Sequence, residues 1–127
     1  MKYDITKKVP YSFAEAITRL KEALTKEGFG VLAEIDIKET MQKKLGIDYE
    51  NYMILGVCNP PLAHEALQAE KKIGLFLPCN IIVYEDEGMV VVSAILPTVA
   101  MSMLENTTLT QVAVKAEEKL QAVINNV

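Results

Sequence analysis

Two short hydrophobic segments joined by a tight turn restrict the fold of this chain more than any other feature of its sequence. Residues Asn80–Glu85 and Met89–Leu96 are rich in Val and Ile, and the sequence Asp86-Glu87-Gly88 separates them. A connection of this length that contains glycine is typical of a β-hairpin, because glycine readily adopts the positive φ angles of tight turns. The sequence therefore predicts at least one antiparallel pair of strands.

The rest of the chain alternates between strand-like and helix-like patterns. Further strands are predicted near residues 3–9, 31–37 and 53–58, and helices over about 12–28, 39–45, 59–72, 97–104 and from 108 onward. The predicted order is β-α-β-(α)-β-α-β-β-α-α, which favours an α+β fold with a largely antiparallel sheet covered by helices on one face. No repeat, low-complexity tract or linker interrupts the pattern, so we expect a single domain over residues 1–127.

Local signals refine the helices and strands. Ser12 with Glu15, and Thr108 with Gln111, have the spacing of capping boxes, in which the first side chain accepts an early backbone N–H. Gly28 is placed to end the first long helix in a left-handed turn. Apolar residues alternate along the second strand and recur along the 59–72 helix, so we expect both sets to be buried: Val31, Ala33, Ile35 and Ile37, and Ala63, Ala66 and Leu67.

Composition excludes several classes of function. The chain has 127 residues, of which 50% are hydrophobic and 24% charged, with a formal net charge of −4. An acidic chain lacks the positive charge that binding to nucleic acid or to an anionic membrane surface requires. The first eight residues contain no apolar signal segment, and no apolar run is long enough to span a bilayer, so we expect a cytoplasmic protein with reduced thiols.

Two cysteine-containing loops are the main chemical feature of the sequence. Each cysteine is followed by asparagine and flanked by proline, in Cys58-Asn59-Pro60 and in Pro78-Cys79-Asn80. Asn59 is expected to be the N-cap of a helix and Pro60 its first residue. If the two strands that carry the cysteines are neighbours, these six residues could form one ligand-binding site.

Three interpretations of the cysteines remain open. They could be buried structural residues, since free cysteine is among the most buried residue types. Cys58 precedes a helix whose N-terminal N–H groups would favour a thiolate, so it could be reactive. Cys58, Cys79 and His64 could also supply three ligands to zinc, or to copper(I), although their spacing matches no common metal motif and His64 is expected to face solvent.

The same loops carry a resemblance to a known family. The sequence Gly56-Val57-Cys58-Asn59-Pro60, followed by Gly74-Leu75-Phe76-Leu77-Pro78-Cys79-Asn80, resembles the signature of the Domain of Unknown Function 302 family. The resemblance extends over nearly the whole chain. It implies a compact α+β domain similar to the TATA-binding-protein-like architecture, usually found as a homodimer. It implies no activity, because none is established for the family.

These observations lead to one functional hypothesis with three alternatives. We expect a homodimeric small-ligand-binding or regulatory module whose pocket lies at the two Cys-Asn loops. The alternatives are a thiol-dependent enzyme, a zinc- or copper-binding protein that uses Cys58 and Cys79, and structural loops in a protein that acts through a partner. The sequence identifies no cofactor and no ligand.

Overall fold

The computed structural model of the protein describes residues 2–127, which form one antiparallel sheet and several helices. The strands are β1 (Asp4–Val9), β2 (Gly30–Asp36), β3 (Tyr52–Cys58), β4 (Cys79–Asp86) and β5 (Met89–Ile95). The α-helices are α1 (Phe13–Lys26), α2 (Ile37–Leu45), α3 (Pro60–Ala69), α4 (Pro97–Ala100) and α5 (Thr107–Asn125), with a 3₁₀ helix at Lys71–Phe76. Within the described residues, no helix combines the length and hydrophobicity needed to cross a membrane.

The five strands lie in the order β1-β5-β4-β3-β2, and every neighbouring pair is antiparallel. The hairpin between β4 and β5 is confirmed, with Glu87 and Gly88 at φ angles of 51° and 81° in its turn. The predicted α+β class and antiparallel sheet are also confirmed. A helix predicted to reach residue 72 ends instead at Ala69, and a 3₁₀ helix continues the chain.

Helices α1 and α5 cover one face of this sheet. Ile81 and Val83 of β4 are fully buried on that face, because alternate residues of a strand point to the same side. They belong to one hydrophobic cluster with residues of both helices, including Leu20, Leu24 and Leu120. Burial of a side chain of this size is worth roughly 1.5–3 kcal/mol, so this cluster is the main source of stability.

A second, smaller hydrophobic cluster lies beside the first. It joins α3, the 3₁₀ helix and the turn after α4 to the first half of α5, through Ala66, Ile73, Met101, Leu109 and Val112. The two clusters meet at the ends of β3 and β4, where the chain carries its cysteines. The candidate functional site lies at this seam.

The helix starts agree only partly with the predicted capping boxes. Ser12 caps α1 by accepting the Glu15 N–H at 3.1 Å, as predicted. The Glu15 carboxylate does not complete the box, because it accepts hydrogen bonds from Arg19 instead. The capping box predicted for Thr108 and Gln111 is wrong, because α5 begins at Thr107 and its N-cap is Asn106.

Strand β2 lacks the buried face that its alternation predicts. Ala33 and Ile35 are exposed, and Val31 is only half-buried. Two causes are visible: β2 lies at the edge of the sheet, and its register with β3 shifts between Val31 and Ala33. Ala33 and Ile35 therefore contribute to the surface of the chain, whereas Val31 packs against the main hydrophobic cluster.

Candidate functional site

A cavity of about 290 Å³ lies at the seam between the two hydrophobic clusters. Its walls come from the end of β3, the start of β4, the helices α3 and α5, and β2, together with the residues just before β2 and β4 and just after α4. They contain no charged side chain, and apart from Asn59 and two thiols they are apolar. The lining residues are Phe29, Leu32, Val57, Cys58, Asn59, Leu62, Ala63, Ala66, Leu67, Leu77, Pro78, Cys79, Met101 and Val112.

The exposure of these residues distinguishes the floor of the cavity from its mouth. Ala66, Met101 and Val112 are only 1%, 8% and 4% exposed, so they form the floor. Leu32 and Leu67 are 67% and 42% exposed, so they lie at the mouth. An apolar floor with an apolar rim suits a ligand that is itself mostly apolar.

The two cysteines converge on this cavity. Cys58 is the last residue of β3 and Cys79 the first of β4, and Cys79 lies opposite Val57 in the paired strands. Both are half-buried free thiols. Burial raises the pKa of the Cys79 thiol above its usual value of 9.0, and the nearby charge of Cys58 raises it further. Cys79 is therefore held as a neutral thiol in an apolar wall.

Asn59 has a structural role in the wall of the cavity. Its side-chain oxygen accepts the Leu62 N–H at 3.4 Å and so caps α3, as predicted, while its Nδ2 donates to the Glu27 carbonyl at 3.2 Å. Asn59 is only 9% exposed. It thus joins the end of α1 to the start of α3. Gly28 permits this contact, because an added Cβ there would lie 3.3 Å from Asn59 Nδ2.

Two further polar side chains, Asn106 and Glu117, fix the helical walls through two hydrogen bonds each. Asn106 caps α5 through the Leu109 N–H at 3.1 Å and donates to the Ala69 carbonyl at the end of α3 at 3.4 Å. Glu117 of α5 accepts the backbone N–H and the hydroxyl of Thr98, at 3.1 and 2.6 Å, which holds the start of α4. Both ends of α3 and the segment leading to Met101 are therefore anchored.

A close contact between Gly56 and Pro78 shapes the wall of the cavity beside Cys79. An added Cβ at Gly56 would lie 2.8 Å from Pro78 Cγ, too close for any side chain. The nearest neighbour of Gly56 is therefore this proline ring. The contact places the segment before β4 against β3, next to Cys79.

Four of the six residues predicted to form the ligand-binding site line the cavity, and two lie outside it. Cys58, Asn59, Pro78 and Cys79 line the cavity together, whereas Pro60 does not. Asn80 is exposed and lines two smaller cavities of about 160 and 150 Å³ instead. Cys79 and Pro78 also line the last of these.

A three-ligand metal site finds no geometric support. His64 is exposed on α3, as predicted, and does not line the cavity. Within residues 2–127, no three His, Cys, Asp or Glu side chains are grouped so that they could hold a metal ion. Cys58 and Cys79 are the two thiols that line the cavity, and zinc or copper(I) binding with His64 stays a prediction.

Sequence reasoning missed the residues that make the cavity. Ala63, Ala66 and Leu67 were expected to be packed in the core, but only Ala66 is fully buried, and Leu67 reaches the mouth. The available signal was the small size of Ala63 and Ala66, which line the cavity together with Val112. No sequence signal indicated that Leu32 would line the cavity, because its exposure depends on the register shift in β2.

Comparison with known proteins identifies the family. The sequence matches the profile described as domain of unknown function DUF302 over residues 5–127. The chain belongs to the DUF302 family. The crystal structure of an uncharacterized conserved protein DUF302 from Bacillus stearothermophilus is similar to this DUF302 protein, with 34% identity and a TM-score of 0.93 over 99% of this chain and 98% of that one. No curated protein gives a match.

Proposed function

We propose that this DUF302 protein is a single-domain binding module for a small, mostly apolar ligand, which occupies the cavity between β3, β4 and α3. The observation that carries the proposal is the uncharged lining of an open cavity of about 290 Å³. Natural ligand sites start at about 300 Å³, and an engineered apolar cavity of about 150 Å³ holds benzene. A molecule with one or two fused rings, or a short branched chain, is therefore a suitable size.

Naphthalene is a suitable probe for the first test. We expect its addition to shift the NMR signals of methyl groups at the floor and mouth of the cavity, such as Met101 and Leu67, in a saturable manner. Ala63→Phe fills the cavity from α3 and should weaken binding at least about tenfold, which corresponds to 1.4 kcal/mol.

Ala14→Phe is the matched control, because Ala14 is an exposed alanine on α1 away from the cavity. It should leave naphthalene binding unchanged. Shifts spread over the surface, or equal affinity in the wild type and Ala63→Phe, would contradict the proposal.

The proposal includes a homodimer formed through the sheet face opposite α1 and α5. On that face Ile54 and Ile82 lie side by side on β3 and β4, and Tyr52 stacks on Tyr84 with ring centroids 5.4 Å apart. An antiparallel sheet that exposes one face to water normally presents polar residues there. A second copy is the occupant that the family resemblance favours. Light scattering tests it, since the mass should be twice 14.1 kDa.

A thiol-dependent enzyme at the same cavity is the second candidate. It is favoured by one observation, that both thiols line the cavity. Because the raised pKa keeps Cys79 protonated, Cys58 would be the nucleophile, and Cys58→Ser would abolish turnover. Binding of naphthalene should survive that substitution, so the two candidates are separable.

A cytoplasmic location also belongs to the proposal. Two free thiols beside one cavity suit a compartment in which glutathione keeps cysteine reduced. Fractionation of cells that produce the protein tests this location, and recovery in an exported fraction would contradict it.

A further inference from the structure

We propose that Cys58 and Cys79 form a reversible disulfide across β3 and β4, a modification site that accepts two-electron oxidants of the small-molecule disulfide class. Because the bond would close one wall of the cavity, oxidation would control ligand entry. This second step, but not the disulfide itself, rests on the proposed function.

The register of the paired strands gives the two cysteines a Cα separation that a disulfide can span. Cys79 lies opposite Val57, and Cys58 follows Val57 directly. Opposite Cα atoms in an antiparallel pair are about 4.5–5.5 Å apart and one residue rises about 3.3 Å, so the two Cα atoms are about 5.6–6.4 Å apart. Disulfides span Cα distances of about 4.4–6.8 Å.

Both cysteines border the same space at the ends of their strands. Successive residues in a regular strand face opposite sides, which would separate the two thiols. Here β3 ends at Cys58 and α3 begins at Pro60, and both Val57 and Cys58 line the same cavity as Cys79. The influence of Cys58 on the pKa of Cys79 agrees with this proximity.

The chemistry balances with glutathione disulfide as the oxidant. The Cys58 thiolate attacks one sulfur of glutathione disulfide, forming a mixed disulfide and releasing one glutathione thiolate. The Cys79 thiolate then attacks the Cys58 sulfur, forming the internal disulfide and releasing the second glutathione thiolate. Two electrons pass from the two cysteines to the oxidant, and the two cysteine protons leave to solvent or to the glutathione thiolates. We assign the first attack to Cys58, because burial raises the pKa of the Cys79 thiol.

The bond would alter the shape of the cavity. Cys58 and Cys79 stand on adjacent strands at one end of the cavity, so joining their sulfurs draws both side chains together across that wall. We expect the oxidised protein to bind naphthalene more weakly than the reduced protein.

The test is a titration of the full chain with mixtures of reduced and oxidised glutathione. Free thiols are alkylated at each ratio, and mass spectrometry distinguishes the internal disulfide, which lacks two hydrogens, from a glutathione adduct. We expect the wild type to form the internal disulfide without a lasting adduct. Cys79→Ala should instead accumulate a glutathione adduct on Cys58, and Cys58→Ala should react more slowly.

Three outcomes would overturn the proposal: a lasting adduct on the wild type, a disulfide between two chains, or both thiols still reduced at full oxidation. Circular dichroism first establishes that each variant is folded, and Cys→Ser variants replace any that is not. Naphthalene binding to the reduced protein is measured separately. If the disulfide forms but the reduced protein binds no naphthalene, the proposed function fails while the modification site stands.

Discussion

At the residue scale, the cavity depends on one buried asparagine. Among residues 2–127, Asn59 is the single buried polar or charged side chain, and its two hydrogen bonds join α1 to α3. A buried polar group is tolerated only when its partners are present, because an unsatisfied one costs about 1–3 kcal/mol. The pairing of Cys58 with Asn59 in the sequence therefore has a structural reason that is separate from thiol chemistry.

Substitution of Asn59 tests this role. Asn59→Ala removes the cap of α3 and leaves the Glu27 carbonyl without its donor, so we expect the free energy of unfolding to fall by about 1–3 kcal/mol. Asn59→Asp keeps the capping oxygen but loses the donor and places a carboxylate oxygen against the Glu27 carbonyl, so it should also lower the free energy of unfolding. Urea denaturation measures both. An alanine variant as stable as the wild type would show that the two contacts contribute little.

The raised pKa of Cys79 predicts a pH dependence of stability. Between the usual thiol pKa of 9.0 and the higher folded value, the unfolded chain releases its proton while the folded chain keeps it. The unfolded state then binds fewer protons, so the free energy of unfolding must fall as pH rises through this range. Below 9.0 both states are protonated and the contribution of Cys79 is fully present.

Denaturation of the reduced protein from about pH 8 to about pH 9.5 measures the fall in the free energy of unfolding. Cys79→Ala should make this free energy less dependent on pH. Cys58→Ala should keep most of it, because burial is the larger cause of the shift and the charge of Cys58 the smaller one. Equal slopes in the wild type and Cys79→Ala would contradict the assignment.

At the scale of elements, strand β3 and the segment before β4 must fit closely. Gly56→Ala places a methyl group against the Pro78 ring, at an initial distance of 2.8 Å from Cγ. The segment carrying Cys79 must shift, so we expect a loss of about 1–3 kcal/mol in the free energy of unfolding.

Gly30→Ala is the control for this substitution. Gly30 lies on the neighbouring strand β2, and an added Cβ meets no atom within 4 Å. Thermal denaturation should show it unchanged or slightly more stable, because alanine reduces the freedom of the unfolded chain. If both variants were equally stable, Pro78 would have to move at little cost.

The elements themselves were largely predictable, and the exceptions have local causes. Ser12, Asn59 and Asp86-Glu87-Gly88 act through neighbours a few residues away, so their caps and turn were visible in the sequence. Asn106 was missed because Thr108 and Gln111 offered a competing capping pattern. The cavity could be located from the cysteine loops but not outlined, because Met101 and Val112 reach it only through the packing of α4 and α5.

At the scale of the whole molecule, the sheet has two unlike faces. Helices cover the face that contains Ile81 and Val83, whereas Ile82 between them is half-buried on the other face beside Ile54. Strand β2 at the edge adds Ile35, which is 47% exposed. The exposure of the apolar residues Ala33 and Ile35, which lie on this face, is explained if a second copy packs on it.

Substitution of Ile82 by lysine decides between a dimer face and an isolated apolar surface. A charge at the centre of an apolar interface costs its desolvation without a partner, so Ile82→Lys should reduce the mass by light scattering from twice 14.1 kDa to 14.1 kDa. Leu75→Lys is the matched control, because Leu75 is 83% exposed on the 3₁₀ helix, and the dimer should persist. A monomeric wild type would refute the homodimer. A dimer that survives Ile82→Lys would place the interface elsewhere on the chain.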